Sequence, residues 1–431
     1  MNRIRQKVTV KDVSFKKKVL QWASADSHCI YLDSNAASQP SLYGSYDALL
    51  AVGKVAEIRM EHQNAFEHLK KFQSEVEDYL FGYFSYDLKN DIEDLGSDLN
   101  DELKFPELLF FQPAKVFIWK DDQCELFYHQ SVSDDIHLDL KKIEESTITQ
   151  SDAYSMPPIK SRMSKQDYLD KVDSILRHIH RGDIYEVNFC QEFYIPNTRI
   201  HPLEVYYNLD TISRAPFSCF LKIDQHYLVS ASPERFLKKQ GNRLISQPIK
   251  GTARRAADIH EDAQVATDLV NDPKERSENI MIVDLVRNDL SKTARKGSVQ
   301  VEELCEVYSF EQVHQLISTV SSELVEGIHP VEVIRSVFPM GSMTGAPKIS
   351  AMKIIEDLEE TKRGVYSGAI GYLTPDGDFD FNVVIRSILY NASKRYVSFS
   401  VGGAITAQSD PIKEYEECLL KARAMRTVLE E

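Results

Sequence analysis

The stretch YVSFSVGGAIT, residues 396–406, places apolar side chains at alternate positions until it reaches two glycines. Alternation with a period of two predicts a β-strand that buries one face. Similar strand-like patterns occur in FDFNVVIRSILY (379–390), DIYEVNFCQEFYI (183–195), FSCFLKI (217–223) and HYLVSAS (226–232). We therefore expect much of the chain after residue 183 to be built on an extensive sheet.

Segments with helical spacing separate these strands, and they cover residues 258–290, 328–338, 347–360 and 411–430. Another helix is predicted to begin after Ser164, a favourable N-cap with Asp167 three residues later, and to end at Gly182. The sequence shows no regular strand–helix alternation, internal repeat or G-x-G-x-x-G motif. The predicted fold class is a large mixed α+β fold, with mostly antiparallel sheets forming a sandwich-like core and helices outside.

The length of 431 residues suggests two or three structural units, because domains average about 150 residues, although large α+β folds can form one unit. The segment 146–163 is polar, contains a Pro-Pro pair and lacks periodicity, which predicts a linker. We therefore predict an N-terminal region at 1–145, the linker at 146–163 and a second, catalytic unit at 164–431.

Charge and cysteine usage narrow the class of protein. A net charge of −15 argues against a nucleic-acid surface, which requires a basic stripe. The six cysteines are scattered without a C-x-x-C pair, as in reduced cytosolic proteins, and this spacing argues against a disulfide framework or a zinc site. No secretory signal and no run of about 18 apolar residues is present, so we expect a cytoplasmic protein that does not cross a membrane.

Two helical segments carry paired carboxylates that are candidates for a metal site. Glu275 and Glu278 lie three residues apart, directly before an apolar run, and Glu414 and Glu417 have the same spacing. Acidic pairs at the edge of a core are costly unless they are neutralised. If the two helices face each other, they form a Mg²⁺ site; the alternative is a solvated face paired with Lys421.

Lys250, in the segment PIKGT, is the candidate reactive group, and Glu234 precedes it at the end of another strand-like segment. A free lysine has a pKa of about 10.4, so only about one in two thousand is the neutral nucleophile at pH 7. Desolvation or nearby cations such as Arg254 and Arg255 would activate it. The alternative is a solvated surface lysine.

An arginine and two glycine-containing turns are candidate binding groups for an anion. Arg386 lies in a strand-like segment with apolar neighbours, which predicts either a structural ion pair or a clamp on a substrate carboxylate. The turns VGGAIT (401–406) and GSMTGAPK (341–348) can present backbone N–H groups to an anion.

Seven motifs occur in the order found in the chorismate-utilising enzymes: GDIYEVNFCQ, SPERF, PIKGT, KERSENIMIVDLVRNDL, GSMTGAPK, GYLTPDGDFDFNVVIRS and a final E-x-x-E-x-x-x-K. From residue 164 to 427 the chain resembles this family, which includes anthranilate synthase component I, aminodeoxychorismate synthase component I, and the isochorismate and salicylate synthases. The first 160 residues resemble the family only loosely. IYLDSN (30–35) is similar to a segment that lines the tryptophan pocket of relatives.

Three positions make the resemblance strongest to the aminodeoxychorismate synthase branch. Lys250 replaces the alanine typical of anthranilate synthases, GSMTGAPK has the serine and threonine of the branch, and RAPFSCF (214–220) lacks the regulated N-P-x-P-Y pattern. Glu186 occupies the position of a water-activating lysine in isochorismate synthases and of a glutamine in the branch. Anthranilate synthase component I, isochorismate synthase and a non-catalytic chorismate- or tryptophan-binding protein remain alternatives.

The resemblance implies a mechanism and a set of site residues. Lys250 would attack C2 of chorismate, Glu234 would protonate the departing C4 hydroxyl, and His314 would belong to the same site. Ammonia would then open the covalent intermediate at C4. The implied substrate-binding residues are Thr252, Thr344, Tyr372, Arg386, Gly402, Gly403 and Lys421. The implied Mg²⁺ ligands are Glu275, Glu278, Glu414 and Glu417.

The chain contains no G-x-C-x-G nucleophile elbow and no spare segment of glutaminase size. The resemblance therefore implies that a separate glutamine amidotransferase subunit supplies the ammonia.

Overall fold

The computed structural model describes residues 2–10, 14–35, 44–147, 156–311 and 313–430. The strands within these ranges are β1 Arg3–Thr9, β2 His28–Asp33, β3 Ala48–Met60, β4 Leu80–Phe84, β5 Leu108–Lys120, β6 Gln123–His129, β7 Lys160–Ser161, β8 Glu186–Ile195, β9 Phe217–Ile223, β10 His226–Ser232, β11 Arg235–Gln240, β12 Arg243–Gln247, β13 Ile249–Arg254, β14 Gln300–Ser309, β15 Val313–Glu323, β16 Gly345–Ala346, β17 Ala369–Leu373, β18 Phe379–Val383, β19 Ser387–Asn391 and β20 Tyr396–Thr406. The α-helices are α1 Phe15–Ala23, α2 Ala65–Val76, α3 Lys89–Ile92, α4 Ile136–Glu145, α5 Lys165–Arg181, α6 Pro202–Ser213, α7 Ile259–Asn271, α8 Pro273–Ser291, α9 Pro330–Val337, α10 Lys348–Leu358 and α11 Pro411–Glu430.

Antiparallel pairing joins these strands into two sheets that share β5. The first sheet runs in the order β8, β20, β19, β10, β9, β2, β3, β5, with β7 and β16 on β8 and with β6 and β1 beyond β5. The second runs β5, β4, β17, β18, β11, β12, β15, with β13 and β14 also paired to β15. The predicted antiparallel α+β class is confirmed.

The apolar core lies between the two sheets and continues beneath the outer helices. One buried cluster joins first-sheet residues such as Leu221 and Leu228 to second-sheet residues such as Phe81 and Phe381. A second cluster packs α5, α6 and α11 against the outer face of β8 and β20, where Phe399 is fully buried. The sandwich-like core with helices outside follows from this division, because each sheet buries one face against the other.

Local capping explains the helix that the sequence predicts best. The Ser164 side chain accepts a hydrogen bond from the backbone N–H of Asp167, and the Asp167 side chain accepts one from the backbone N–H of Ser164. Gly182 ends α5 with a φ of 88°. The predicted bounds are confirmed, because each end is stabilised by groups within a few residues.

Two predicted elements are each broken in the structure. The helical pattern 258–290 splits into α7 and α8, because Asp272 leaves the helical conformation and Pro273 begins the next helix. The strand-like pattern 379–390 splits into β18 and β19, and Arg386 lies in the break with a φ of 50°. The placement of Arg386 inside a strand was therefore wrong, since a left-handed residue interrupts the extended backbone.

Strands from the predicted N-terminal region pair with strands of the second unit, as β2 does with β9 and β4 with β17. The division at 146–163 stays a prediction, and residues 148–155 of it lie outside the described residues. In the described ranges, no helix is both long and apolar enough to cross a membrane.

Candidate active site

Lys250 and Glu186 meet where the two sheets approach each other. The Lys250 Nζ lies 3.0 Å from Glu186 Oε1, and the two side chains are 11% and 1% exposed. The second carboxylate oxygen of Glu186 is buried, and no residue in the described part of the chain hydrogen-bonds to it. Lys250 is therefore held inside the protein, which excludes the alternative of a solvated surface lysine.

The charges around Lys250 are negative. Burial alone would lower the pKa of Lys250, but Glu186, Glu278 and Glu234 outweigh burial and raise the pKa. Arg255 lies in an ion pair with Asp262 at 2.6 Å. The ligand-free site therefore holds Lys250 as an ammonium ion among carboxylates.

Backbone contacts position Lys250 against α8. The Asn279 side-chain amide donates to the carbonyl oxygens of Lys250, at 3.2 Å, and of Leu316, at 3.1 Å. Gly251 has a φ of 92°, and a Cβ there would lie 3.1 Å from Glu275 Oε2. A glycine at this position therefore lets α8 approach the strand that carries Lys250.

Glu234 lies between β10 and β11 and has the environment expected of an acid catalyst. It is 5% exposed, and its Oε1 accepts a hydrogen bond from Ser342 Oγ at 2.6 Å. Burial raises the pKa of Glu234 to about 7, against the opposing effects of Ser342, Lys250 and Arg386. A carboxyl group with this pKa can hold a proton near neutral pH and release it to a leaving group.

Arg386 projects from the break between β18 and β19. Its carbonyl oxygen accepts the Ala231 N–H at 3.2 Å, which ties the break to β10. Burial lowers the pKa of the guanidinium, and the charge of Glu234 acts in the opposite direction. No ion pair to Arg386 is found among the described residues, so its side chain is available to an anionic ligand.

The carboxylates of α8 and α11 converge as the paired spacing predicts. Lys274 Nζ lies 3.7 Å from Glu278 Oε1 and 3.6 Å from Glu414 Oε1, so the two helices share one cation. On α11, Lys421 pairs with Glu417 at 2.8 Å and donates to the Gly402 carbonyl oxygen at 3.0 Å. The predicted metal ligands are therefore brought to one place.

Burial dominates three of the four pKa shifts in this cluster. Burial raises the pKa of Glu278 to about 7, despite the attraction of Lys250 and Lys274. Burial, together with the charge of Glu417, also raises the pKa of Glu275 and of Glu414. Lys421, by contrast, lowers the pKa of Glu417.

These residues could hold a hard divalent cation. Glu278 Oε1 is a buried oxygen with no hydrogen-bond partner among the described residues, and a Cβ at Gly403 would lie 3.5 Å from Glu414 Oε2. Within the described part of the chain, no three His, Cys, Asp or Glu side chains lie at metal-ligand spacing. Carboxylate oxygens are the donors that Mg²⁺ prefers, and a Mg²⁺ site here stays a prediction.

The glycines of β20 and Thr344, which directly precedes β16, both contact β8. Gly402 pairs with Cys190, and a Cβ at Gly402 would lie 2.4 Å from the Cys190 Sγ, so close strand packing requires glycine there. Thr344 is fully buried, and its carbonyl oxygen accepts the Asn188 N–H at 2.8 Å. Both positions present backbone close to the strand that begins with Glu186.

Three predicted residues lie in other surroundings. Tyr372 lies in an aromatic group, with its ring centroid 5.7 Å from that of Phe81, and no described contact brings it to Lys250. Thr252 is exposed on β13. His314 is buried at the start of β15, where it pairs with Ala253 of β13 and its ring nitrogens bond to Ser309 at 2.8 Å and Asp262 at 3.0 Å. These positions favour a structural part for His314, and its catalytic role stays a prediction.

Sequence reasoning missed several groups that the structure places here. Ser342 holds Glu234, Asn279 holds the Lys250 backbone, and Lys274 bridges the carboxylates. The Tyr366 hydroxyl lies 3.6 Å from the Sγ of Cys190, the residue that pairs with Gly402. All of these residues except Asn279 and Lys274 lie outside the carboxylate motifs, so spacing offered little signal for them.

Comparison with known proteins places this geometry in a family. The family model described as chorismate binding enzyme matches residues 27–427. Aminodeoxychorismate synthase component 1 of Klebsiella aerogenes is 36% identical over 352 residues, covering 81% of this chain and 76% of that protein. Anthranilate synthase component 1 of Thermus thermophilus is 35% identical over 357 residues, covering 81% and 77%.

A solved structure shows the same fold. Anthranilate synthase component I from Streptococcus pneumoniae superposes with a TM-score of 0.79 at 24% identity, covering 91% of this chain and 93% of that chain. The family match spans the strands from β2 to β20 and every carboxylate of the site. The chain belongs to the chorismate binding enzyme family.

Proposed function

We propose that this chain is the chorismate-aminating component of an aminodeoxychorismate synthase, and that it converts chorismate and ammonia to 4-amino-4-deoxychorismate. The observation that supports this most directly is a buried lysine, Lys250, that interacts electrostatically with a carboxyl group, Glu234, whose pKa is about 7. Relatives that carry this name in Klebsiella aerogenes and Escherichia coli are 36% and 34% identical to the chain.

In the proposed reaction, Lys250 acts as the nucleophile and Glu234 as the general acid. Lys250, once neutral, attacks C2 of the substrate ring, and a C–N bond forms while the C4–O bond breaks. Glu234 donates its proton to the departing hydroxyl, which leaves as water. Ammonia then adds at C4, the electron pair shifts back through the ring, and the Lys250 amine is released. Glu234 recovers a proton from the newly attached ammonium group.

Binding groups surround these two residues. Arg386 is available to a substrate carboxylate. Lys421 contacts both the Gly402 carbonyl oxygen and Glu417, and so links β20 to α11. Glu278 and Glu417, with Glu275 and Glu414 beside them, would hold Mg²⁺. When bound, that ion would neutralise the ring carboxylate and orient the ring.

Two further proposals concern the setting of the reaction. A glutamine amidotransferase subunit supplies ammonia, consistent with the "component 1" naming of the relatives. The protein works in the cytoplasm, which is supported by six buried free cysteines.

The main rival is anthranilate synthase component I, because a relative with that name is 35% identical. One incubation separates the candidates: the chain with chorismate, Mg²⁺ and ammonium, followed by identification of products by mass. We expect aminodeoxychorismate. Anthranilate would favour the rival, isochorismate would indicate a hydroxylating enzyme, and the absence of turnover would indicate a non-catalytic binding protein. Replacing ammonium with glutamine tests the partner, since the chain alone should then form no product.

A further inference from the structure

Lys274 occupies an unusual position for a cation. It is the second residue of α8, and the partial positive charge at a helix N-terminus disfavours a positively charged side chain there. The negative charges of the surrounding carboxylates offset this unfavourable interaction with the helix dipole. Its Nζ lies between Glu278 of its own helix and Glu414 of α11.

The contacts of Lys274 are loose. The distances of 3.7 Å and 3.6 Å are too long for hydrogen bonds, and within the described ranges Glu278 Oε1 has no hydrogen-bond partner. The lysine side chain is 37% exposed, whereas those of Glu278 and Glu414 are 11% and 3% exposed. Lys274 therefore neutralises buried carboxylates while it keeps a path to solvent.

The second lysine of the cluster behaves differently. Lys421 forms an ion pair with Glu417 at 2.8 Å and donates a hydrogen bond to the Gly402 carbonyl oxygen at 3.0 Å. Removal of Lys421 from its position would break two hydrogen bonds, and removal of Lys274 would break none that the structure shows. Of the two, Lys274 is the one that a competing cation displaces at lower cost.

We propose that Lys274 is a displaceable counter-cation, which holds the carboxylates of α8 and α11 together in the absence of metal and swings into solvent when a divalent cation binds. This inference rests on the Mg²⁺ site proposed above. Both cations require the space between Glu278 and Glu414, so the lysine competes with the metal. Lys274 thereby weakens the affinity for Mg²⁺ and keeps the metal-free protein from suffering unscreened carboxylate repulsion.

The test is Mg²⁺ binding by calorimetry to the full chain without substrate. Lys274→Met removes the competing charge, and its Kd for Mg²⁺ should fall roughly three- to tenfold, the size expected for two partly exposed charge contacts. Lys274→Arg keeps the charge and should bind with nearly wild-type affinity. Lys413→Met is the matched control, because Lys413 is exposed on α11 beside Glu414 in sequence. Its Kd should not change.

Thermal unfolding gives a second readout. In EDTA, Lys274→Met should unfold at a lower temperature than the wild type. Added Mg²⁺ should raise the Tm of the variant by more than it raises the Tm of the wild type. If Lys274→Met folds only with metal, both proteins are purified with Mg²⁺ and titrated with a chelator. The free Mg²⁺ concentration at which each protein unfolds is then compared.

An unchanged or higher Kd in Lys274→Met, with measurable binding in the wild type, overturns the counter-cation role and leaves the proposed metal site intact. If neither protein binds Mg²⁺, the proposed metal site fails, and this inference fails with it.

Discussion

Replacing Glu186 with glutamine should make Lys250 more reactive. The structure gives the free protein a reversed protonation pattern, because the pKa of Lys250 is raised while that of Glu234 is about 7. The reactive form requires a neutral lysine and a protonated glutamate, so it is a small and constant fraction of the protein between the two pKa values. Its size depends on the difference between them.

The magnitude follows from the contact at 3.0 Å between Lys250 Nζ and Glu186 Oε1. An opposite charge at this range shifts a pKa by roughly 1–3 units, and Glu186→Gln removes that charge with little change of shape. A negative charge raises a lysine pKa, so its loss lowers the pKa. The reactive fraction should therefore rise by roughly ten- to a thousandfold. Glu278, Glu234 and Glu417 still face the lysine and limit the shift.

The assay is the pH profile of kcat/KM for chorismate at a fixed concentration of free ammonia, since this parameter reports the free enzyme. In the variant, the plateau should rise and the fall at high pH should move to lower pH, while the rise near pH 7 stays with Glu234. Glu192→Gln is the control: Glu192 is a buried carboxylate on the same strand, paired with Arg162 at 2.9 Å. The pH profile of Glu192→Gln should show the same rise near pH 7 and the same fall at high pH as the wild type.

A plateau that drops in Glu186→Gln would refute the reasoning, because it would mean that Glu186 itself removes the lysine proton during attack. An unmoved limb at high pH would also refute it, because the Glu186 charge would then have no control over Lys250.

Three further predictions concern neighbouring groups. Lys250→Ala should abolish aminodeoxychorismate formation and any substrate adduct seen in intact-protein mass spectra; full activity would rule out the covalent step. Glu234→Gln should lower kcat by roughly 10²–10⁴ and abolish the levelling-off of the profile near pH 7, so that the rise continues toward the pKa of Lys250, and a levelling-off retained near pH 7 would assign it to another group. Asp272→Ala removes the side chain that accepts the N–H groups of Lys274 and Glu275, at 2.8 Å and 3.0 Å. The free energy of unfolding in urea should fall by about 1 kcal/mol, and no change would show that the cap is dispensable.

Periodic patterns predicted the elements that local interactions stabilise. The bounds of α5 were predictable because the Ser164 cap and the Gly182 stop act within a single turn. The break at Asp272 was visible in principle, since Asp followed by Pro is a helix-start signal. The break at Arg386 was not, because the apolar residues around it continue the strand pattern while the backbone turns to a φ of 50°.

The sequence by itself determined the chemistry that this protein contains: the lysine, the acid and the two carboxylate pairs, each in a motif whose residue types are legible without a structure. It also determined the antiparallel α+β class, because strand and helix periodicities are local. Only the tertiary structure decided that Glu186 contacts Lys250, that Lys274 lies between two helices and that Tyr372 packs among aromatic rings. Such contacts join residues far apart in the chain, and they depend on how the two sheets and their helices pack.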